Sequence, residues 1–332
     1  MANVEFHTGF EGCGSTEDAK TLFANAGGGY GWSLDLTHGY NGSKCIKINA
    51  YSNTQINLIP GKTKSFGCHF VPSELSAANF WMIDSSGKSF KITANATDGI
   101  VAQYNNVKLA DSGGVCPAIN PMMNHIEFKV FSDPTAGTFQ VWLNGGIVID
   151  ASALNTGGYD IVQANMGVGL SHTWSYVDDI HVADDWVGHS TVIPILPSAN
   201  HNVTFTPNSG ENFEAINEDG QDGDASYVET ILTNQDLYEY EDIDIGLTVI
   251  AASLVTVARK TGAGKYPVYL HQIAKQGTTE YHKDDSILGI NYPCVPATGK
   301  RDQFPTAPDG TPWTPTVLNA MKWGFKATLT SL

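Results

Sequence analysis

Residues 125–150 read HIEFKVFSDPTAGTFQVWLNGGIVID, and this stretch decides the fold. Apolar and polar side chains alternate over 126–130 and again over 139–143, which is the period of a strand with one face toward a core. The loop Asp133–Gly137 has turn residues at both ends, and Asn144-Gly145 best fits a type I′ hairpin. The stretch therefore predicts an antiparallel meander, which is typical of a β-sandwich.

The alternation recurs along most of the chain and predicts an all-β protein. Its 332 residues suffice for roughly two domains. A boundary is expected after Gly188, because the next segment, Val192–Pro197, carries two prolines that oppose helix. We therefore predict a jelly-roll sandwich over residues 1–189 and a second, smaller β-sandwich over residues 190–332.

The second domain has its strongest strand signal in Gly246–Lys260, GLTVIAASLVTVARK. A Gly262-Ala263-Gly264 turn and a second apolar run, Tyr266–Lys275, follow it, so this pair is predicted to form a long hairpin. One short helix is expected near the C-terminus, with Thr314 as its cap, proline at its first position and Gly324 as its stop.

Charge and cysteine content exclude several classes of protein. The chain has 18 Lys and Arg against 34 Asp and Glu, a formal charge of −16, which disfavours a direct nucleic-acid partner. No apolar run approaches the roughly 20 residues of a membrane span. None of the five cysteines lies in a C-x-x-C pair, so reduced thiols are expected, and one disulfide among the first four stays open. The N-terminus shows no secretory signal pattern.

Two groups of carboxylates are candidates for a metal site. Asp219, Asp222 and Asp224 lie in a glycine-containing acidic loop, and Ca²⁺ prefers several oxygens on such loops. The loop lacks the closing Glu of an EF-hand, so an acidic surface loop is the alternative. Asp178 and Asp179 form the second group, for which solvent-facing carboxylates are the alternative. No other cofactor is predicted.

Sequence motifs for catalysis are missing. No G-x-S-x-G elbow and no H-E-x-x-H helix occur. Glu127 is the acid best centred on a predicted strand, and no second acid lies two or four residues from it, as a pair for glycoside hydrolysis would suggest. We therefore expect a protein that is not an enzyme.

Aromatic residues offer a binding surface. Trp142 lies on the strand face opposite Phe139 and Leu143, and Tyr30, Trp32 and Trp174 lie in or near predicted loops. Such side chains either pack at an interface or stack on sugars. Both interpretations stay open.

Longer segments resemble a known family. Gly9–Glu11, Asn124–Val130, Gly137–Gly145 and Tyr176–Val182, above all VWLNG and DDI, resemble the concanavalin A-like, laminin-G-type jelly roll of tailed-bacteriophage structural proteins. The second half resembles the C-terminal domain often joined to it, and the matching segments are Val192–Pro197, Asp222–Val228, Asp236–Tyr238 and Pro312–Phe325. The acidic strand motif of laminarinase-type glycosidases and the metal motifs of legume lectins are absent.

The resemblance implies a non-catalytic virion structural protein, exposed on the particle as a capsid decoration, head fibre or tail-associated part. It would act through contacts with other virion proteins, form a homo-oligomer such as a trimer, and be made and assembled in the host cytoplasm. The C-terminal domain would anchor or oligomerise it. The alternative is a lectin-like adhesion module that binds a host-surface glycan.

Overall fold

The computed structural model describes residues 2–10, 13, 19–20, 23, 25–27, 32–49, 53–72, 78–95, 97–114, 123–168, 174–218, 225–259, 268–282, 286–287, 294–295, 302–304 and 306–329. The chain divides into two compact units. Unit 1 comprises residues 1–11 and 23–193, and unit 2 comprises residues 12–22 and 194–332.

Unit 1 is built from strands. They are β1 (Val4–Thr8), β2 (Asn25–Gly27), β3 (Trp32–Asp35), β4 (Cys45–Asn49), β5 (Asn53–Gly61), β6 (Thr63–Pro72), β7 (Ala78–Asp84), β8 (Ser89–Asn95), β9 (Gly99–Tyr104), β10 (Val107–Asp111), β11 (Asn124–Phe131), β12 (Gly137–Leu143), β13 (Gly146–Leu154), β14 (Ile161–Val168) and β15 (Trp174–Ala183). A 3₁₀ turn, Tyr40–Gly42, precedes β4.

The described strands of unit 1 form two antiparallel sheets. The eight-stranded sheet has the order β13-β12-β11-β6-β15-β4-β3, with β1 also paired to β15, and the seven-stranded sheet has the order β10-β9-β8-β7-β14-β5-β2. Their inner faces share an aromatic core in which the rings of Phe66 and Phe80, one from each sheet, meet edge to face at 6.0 Å between centroids. Unit 1 is therefore the predicted β-sandwich.

The central meander is confirmed. β11 pairs with β12, and β12 pairs with β13. Asn144 and Gly145 have φ angles of 49° and 81°, as the type I′ turn requires. In the preceding loop Asp133 Oδ1 accepts hydrogen bonds from the backbone N–H groups of Thr135 and Ala136.

Unit 2 is also rich in strands. They are β16 (Pro197–Asn202), β17 (Thr206–Pro207), β18 (Val228–Glu229), β19 (Asn234–Tyr240), β20 (Ala252–Leu254), β21 (Thr256–Val257), β22 (Val268–Gln276), β23 (Thr279–His282), β24 (Ser286–Ile287), β25 (Cys294–Val295), β26 (Asp302–Phe304) and β27 (Lys322–Leu329). A 3₁₀ turn, Glu214–Ile216, and an α-helix, Pro315–Ala320, complete the described elements.

A six-stranded sheet organises the described part of unit 2, with the order β16-β19-β27-β22-β23 and β24 paired to β22. Trp313, Trp323 and Phe304 belong to its buried hydrophobic cluster. The carboxylate of Asp236, fully buried on β19, accepts hydrogen bonds from the Tyr238 hydroxyl, the Asn212 amide and two backbone N–H groups. These donors offset the cost of burying the charge.

Two predictions for unit 2 are wrong. Residues 246–259 contain only the short strands β20 and β21, which pair with β26 and β25 rather than with β22. Apolar side chains of this segment, such as Val249 and Leu254, are buried, although its backbone forms no continuous ladder of strand hydrogen bonds. The helix capped by Thr314 is confirmed, but it ends at Ala320, and Gly324 lies within β27, where a Cβ would come within 1.9 Å of Asp236 O.

Two further sequence features can be followed in the described residues. Cys13, Cys45 and Cys68 are buried, and Cys68 is a free thiol, while Cys116 lies outside the described residues. No helix in the described part of the chain is long and apolar enough to cross a membrane.

We predict that Gly145→Ala destabilises unit 1 by about 1–2 kcal/mol, because an L-residue with a Cβ is strained at its positive φ. Gly146→Ala is the matched control, since its Cβ would lie 3.6 Å from the nearest atom, in ordinary contact. Urea unfolding followed by tryptophan fluorescence measures both. Equal stability of the two variants would contradict the turn assignment.

Candidate functional site

The outer face of the eight-stranded sheet carries polar side chains that are buried. On β11, His125 and Glu127 point away from the core. The register places His125 beside His69 of β6, and Glu127 beside Gly67. On the other side of β6, His181 of β15 is also paired with Gly67. Three histidines and one carboxylate thus meet around one glycine, and we call His69, His125, Glu127 and His181 the histidine–glutamate cluster.

Gly67 makes the close approach within this cluster possible. A Cβ at this position would lie 2.4 Å from His181 Nε2 and 3.2 Å from Glu127 Cβ. The imidazole of His181 therefore occupies the space that any larger residue would fill. It lies 3.8 Å, Nε2 to Oε2, from the Glu127 carboxylate.

A covering segment, residues 184–192, runs over this face of the sheet. Glu127 Oε1 accepts a hydrogen bond of 2.8 Å from Val187 N, and its Oε2 accepts one of 2.8 Å from Gly188 N. Further along, Val192 N donates to Asp179 Oδ1 at 2.7 Å. These contacts hold the backbone of the covering segment against the carboxylates of Glu127 and Asp179. The segment therefore covers Glu127, which is fully buried.

The imidazoles differ in how their nitrogens are satisfied. His69 Nε2 lies 3.0 Å from His189 Nε2, and its Nδ1 lies 3.0 Å from Asp179 Oδ2, though out of line for a hydrogen bond. His125 is 1% exposed, and among the described residues neither of its ring nitrogens has a hydrogen-bond partner. Within the same part of the chain, the buried Nε2 of His181 also has no hydrogen bond.

Burial sets the charge of His125. It lowers the pKa of His125 to about 2, with further contributions from His181, His69 and His189, so that ring is neutral. The pKa of His189 is lowered for the same first reason, and next by His69. His125 and His189 are therefore uncharged imidazoles near neutral pH, which is the form in which histidine binds metals.

The acid pair Asp178 and Asp179 lies beside the cluster with its oxygens turned toward protein donors. Asp178 Oδ2 accepts hydrogen bonds from Tyr40 N at 2.9 Å and Ser43 Oγ at 2.7 Å. Asp179 Oδ2 accepts one from Thr191 Oγ1 at 2.9 Å. Both side chains are buried rather than solvent-facing, and their predicted role in binding Ca²⁺ stays a prediction.

The other predicted carboxylates, Asp219, Asp222 and Asp224, lie outside the described residues.

The predicted aromatic contacts are partly visible. Trp142 is partly exposed on the outer face of the eight-stranded sheet, and its ring lies 5.8 Å, centroid to centroid, from that of Trp186 in the covering segment. Tyr30 lies outside the described residues. Trp32 and Trp174 begin β3 and β15, and their side chains are not described. Contact of these four residues with a glycan or an interface stays a prediction.

A second surface, which the sequence analysis missed, lies on the outer face of the seven-stranded sheet. The register aligns one residue from each of five neighbouring strands: Gln55 with Asn165, Asn165 with Trp81, Trp81 with Lys91, and Lys91 with Gln103. We call this row the amide–tryptophan row. Three amides, an indole and an ammonium thus stand side by side across the sheet.

Amide groups beside this row are organised by hydrogen bonds along their strands. Gln163 Nε2 donates to Asn165 Oδ1 at 2.7 Å, and Gln55 Nε2 donates to Asn57 Oδ1 at 2.9 Å. Asn165 Nδ2 is buried and has no hydrogen-bond partner in the described part of the chain. The signal in the sequence was the pair of alternating amides, Gln-x-Asn, in β5 and again in β14.

The comparisons with known proteins concern the fold. No family model matches the chain, and neither does any curated protein. Among solved structures, domain 4 of AbnA, an extracellular GH43 arabinanase from Geobacillus stearothermophilus in complex with arabinotriose, aligns with a TM-score of 0.42 and 15% identity over 55% of this chain and 93% of that chain.

Two proteins from Bacillus subtilis are also similar. One of unknown function with a galectin-like fold has a TM-score of 0.35 and 10% identity over 55% of this chain and 98% of its own. The carbohydrate-binding module CBM66 has a TM-score of 0.30 and 10% identity over 48% and 93%. All three TM-scores lie below 0.5, so these similarities carry no argument about what this chain binds or does.

The buried Asp178 gives a testable pH dependence. Burial, followed by the neighbouring Asp179 carboxylate, raises its pKa from 3.8 to about 7. The folded chain therefore holds an extra proton between these pH values. The stability that this proton brings is complete below about pH 4 and is lost as the pH rises through about 7. We expect Asp178→Asn, which cannot ionise, to lack this loss when urea unfolding is measured from pH 4 to 8.

Asp133→Asn is the control, because the pKa of Asp133 is shifted in the direction opposite to that of Asp178. Hydrogen bonds from the backbone of Ala136 and Thr135 lower the pKa of the Asp133 carboxyl below 3.8, so its contribution to stability is lost only as the pH falls below about 4. From pH 4 to 8, Asp133→Asn should therefore keep the pH dependence of the wild type. An Asp178→Asn profile parallel to that of the wild type from pH 4 to 8 would contradict the raised pKa.

Proposed function

We propose that unit 1 binds carbohydrate, and that the amide–tryptophan row is the binding surface. Sugars present hydroxyl groups, which pair with planar amides, and C–H faces, which stack on an indole. Trp81 lies between Asn165 and Lys91 in this row, so both kinds of contact are offered side by side. The register that sets the Trp81 indole between an amide and an ammonium group is the observation that carries the proposal.

Lys91 favours an acidic sugar. Burial lowers the pKa of its ammonium group. Among the residues that the structure describes, Lys91 has neither a hydrogen bond nor an ion pair. The carboxylate of a uronic acid would provide the missing counter-charge at short range. The net charge of −16 opposes such a ligand at long range, so we expect its binding to strengthen with added salt until screening also weakens the Lys91 pair.

The residues of the row carry this proposal. Arabinotriose is a ligand of the arabinanase domain, and a likeness in fold does not transfer a ligand to this chain.

The role of a virion structural protein is a second proposal, supported by the sequence resemblance alone. In that role the chain would be displayed on a phage particle, and sugar binding by unit 1 would serve attachment to the host surface. Electron cryomicroscopy of particles from a phage encoding this chain tests it: density for both units on the particle is expected, and particles lacking the chain would overturn it.

We predict that Trp81→Ala weakens glycan binding by at least about tenfold, equivalent to about 1.4 kcal/mol, because the stacking face is lost. Lys91→Gln is expected to weaken the binding of acidic glycans more than the binding of neutral glycans. A glycan array identifies ligands, and isothermal titration calorimetry measures their affinities.

Trp142→Ala is the matched control, since Trp142 lies on the other sheet of the same sandwich. Loss of binding by Trp142→Ala with retention by Trp81→Ala would move the site to the eight-stranded sheet. Silence of the wild-type chain across neutral and acidic glycans would reject carbohydrate binding.

A further inference from the structure

We propose that His125, Glu127 and His181 bind a divalent transition-metal ion, with Zn²⁺ as the preferred ion. This site is independent of the proposed sugar site, which lies on the opposite sheet. It combines two imidazoles and one carboxylate, all from strands β11 and β15, on either side of Gly67.

The distances suit a metal. One donor atom from each of the three residues lies within 4.8 Å of the other two. Ligands around Zn²⁺ stand about 2.0–2.2 Å from the ion, which places them roughly 3.3 Å from one another in a tetrahedral arrangement. The 3.8 Å between His181 Nε2 and Glu127 Oε2 is already close to this value. Small rotations of the side chains would complete the geometry.

The unpaired nitrogens point to a ligand. His125 is 1% exposed and His181 is 3% exposed. Both nitrogens of His125 and the Nε2 of His181 nevertheless have no hydrogen-bond partner among the residues that the structure describes. Buried polar atoms in native proteins are normally paired. A metal ion would engage one nitrogen of each ring and remove two of these three deficits at once.

The surroundings hold the donors in place, as metal sites require. The backbone N–H groups of Val187 and Gly188 fix both oxygens of Glu127, leaving lone pairs for a metal. His181 Nδ1 lies 3.4 Å from Ser190 Oγ, so its Nε2 is the nitrogen that faces Glu127. The covering segment thus orients two of the three ligands.

The donor set selects the ion. Ca²⁺ and Mg²⁺ take oxygen ligands, whereas two imidazoles with one carboxylate are typical of Zn²⁺ and its neighbours in the first transition row. Three protein ligands leave a fourth position for water or for another group. A buried water molecule bonded to the same nitrogens is the competing occupant.

The test uses the full chain purified without a histidine tag. After dialysis against a chelator, the chain is given Zn²⁺, passed through a desalting column and analysed by inductively coupled plasma mass spectrometry. We expect one Zn²⁺ per chain, and at least a tenfold weaker affinity in His125→Ala and His181→Ala when a chromophoric chelator competes. His38→Ala is the control, because His38 is an exposed histidine of the same unit.

A second measurement protects the test against variants that fail to fold. Co²⁺ added to the wild-type chain should give the visible absorption bands of a tetrahedral nitrogen–oxygen site, and Zn²⁺ should displace them. Hydrogen exchange at Val187 and Gly188 should slow when Zn²⁺ is added. Absence of retained metal and of Co²⁺ bands in the wild type would overturn the metal site in favour of water. Equal retention of Zn²⁺ by His125→Ala and His38→Ala would also overturn it, because the metal would then be bound elsewhere.

Discussion

The two hydrogen bonds from Val187 and Gly188 to Glu127 are the constraint on which unit 1 depends. A carboxylate in the middle of β11, fully buried, would be costly without donors of this kind. The last stretch of unit 1 supplies them by covering the sheet. The eight-stranded sheet therefore has an aromatic core on one side and, around Glu127, a buried polar layer on the other.

The covering segment explains several features that look unrelated along the chain. Lys129 pairs with Asp185, Trp142 contacts Trp186, and Asp179 accepts from Val192. These contacts reach side chains of β11, β12 and β15. The covering segment helps to bury the Asp179 carboxylate, while Lys129 and Trp142 stay partly exposed.

The sequence predicts the meander well because its causes are local. The period of two in β11 and β12 and the Asn144-Gly145 turn act within a few residues, and the structure reproduces them. The histidine–glutamate cluster has no such local cause. Glu127 is buried by residues about 60 positions later, and His125 looks like any polar residue on a strand. The predicted hairpin of Gly246–Lys260 with the next apolar run is wrong because apolar residues can be buried without pairing to the run that follows them.

Register explains why the amide–tryptophan row also escaped the sequence analysis. Gln55, Trp81, Lys91, Gln103 and Asn165 span 111 positions of the chain, and only the strand order brings them into one line. Stacked sheets lie about 10 Å apart, so this row and the histidine–glutamate cluster are separated by the whole aromatic core. Sites with no shared partner at such distances respond independently to substitution. One sandwich can therefore present a sugar-binding face on one sheet while the other sheet encloses a metal.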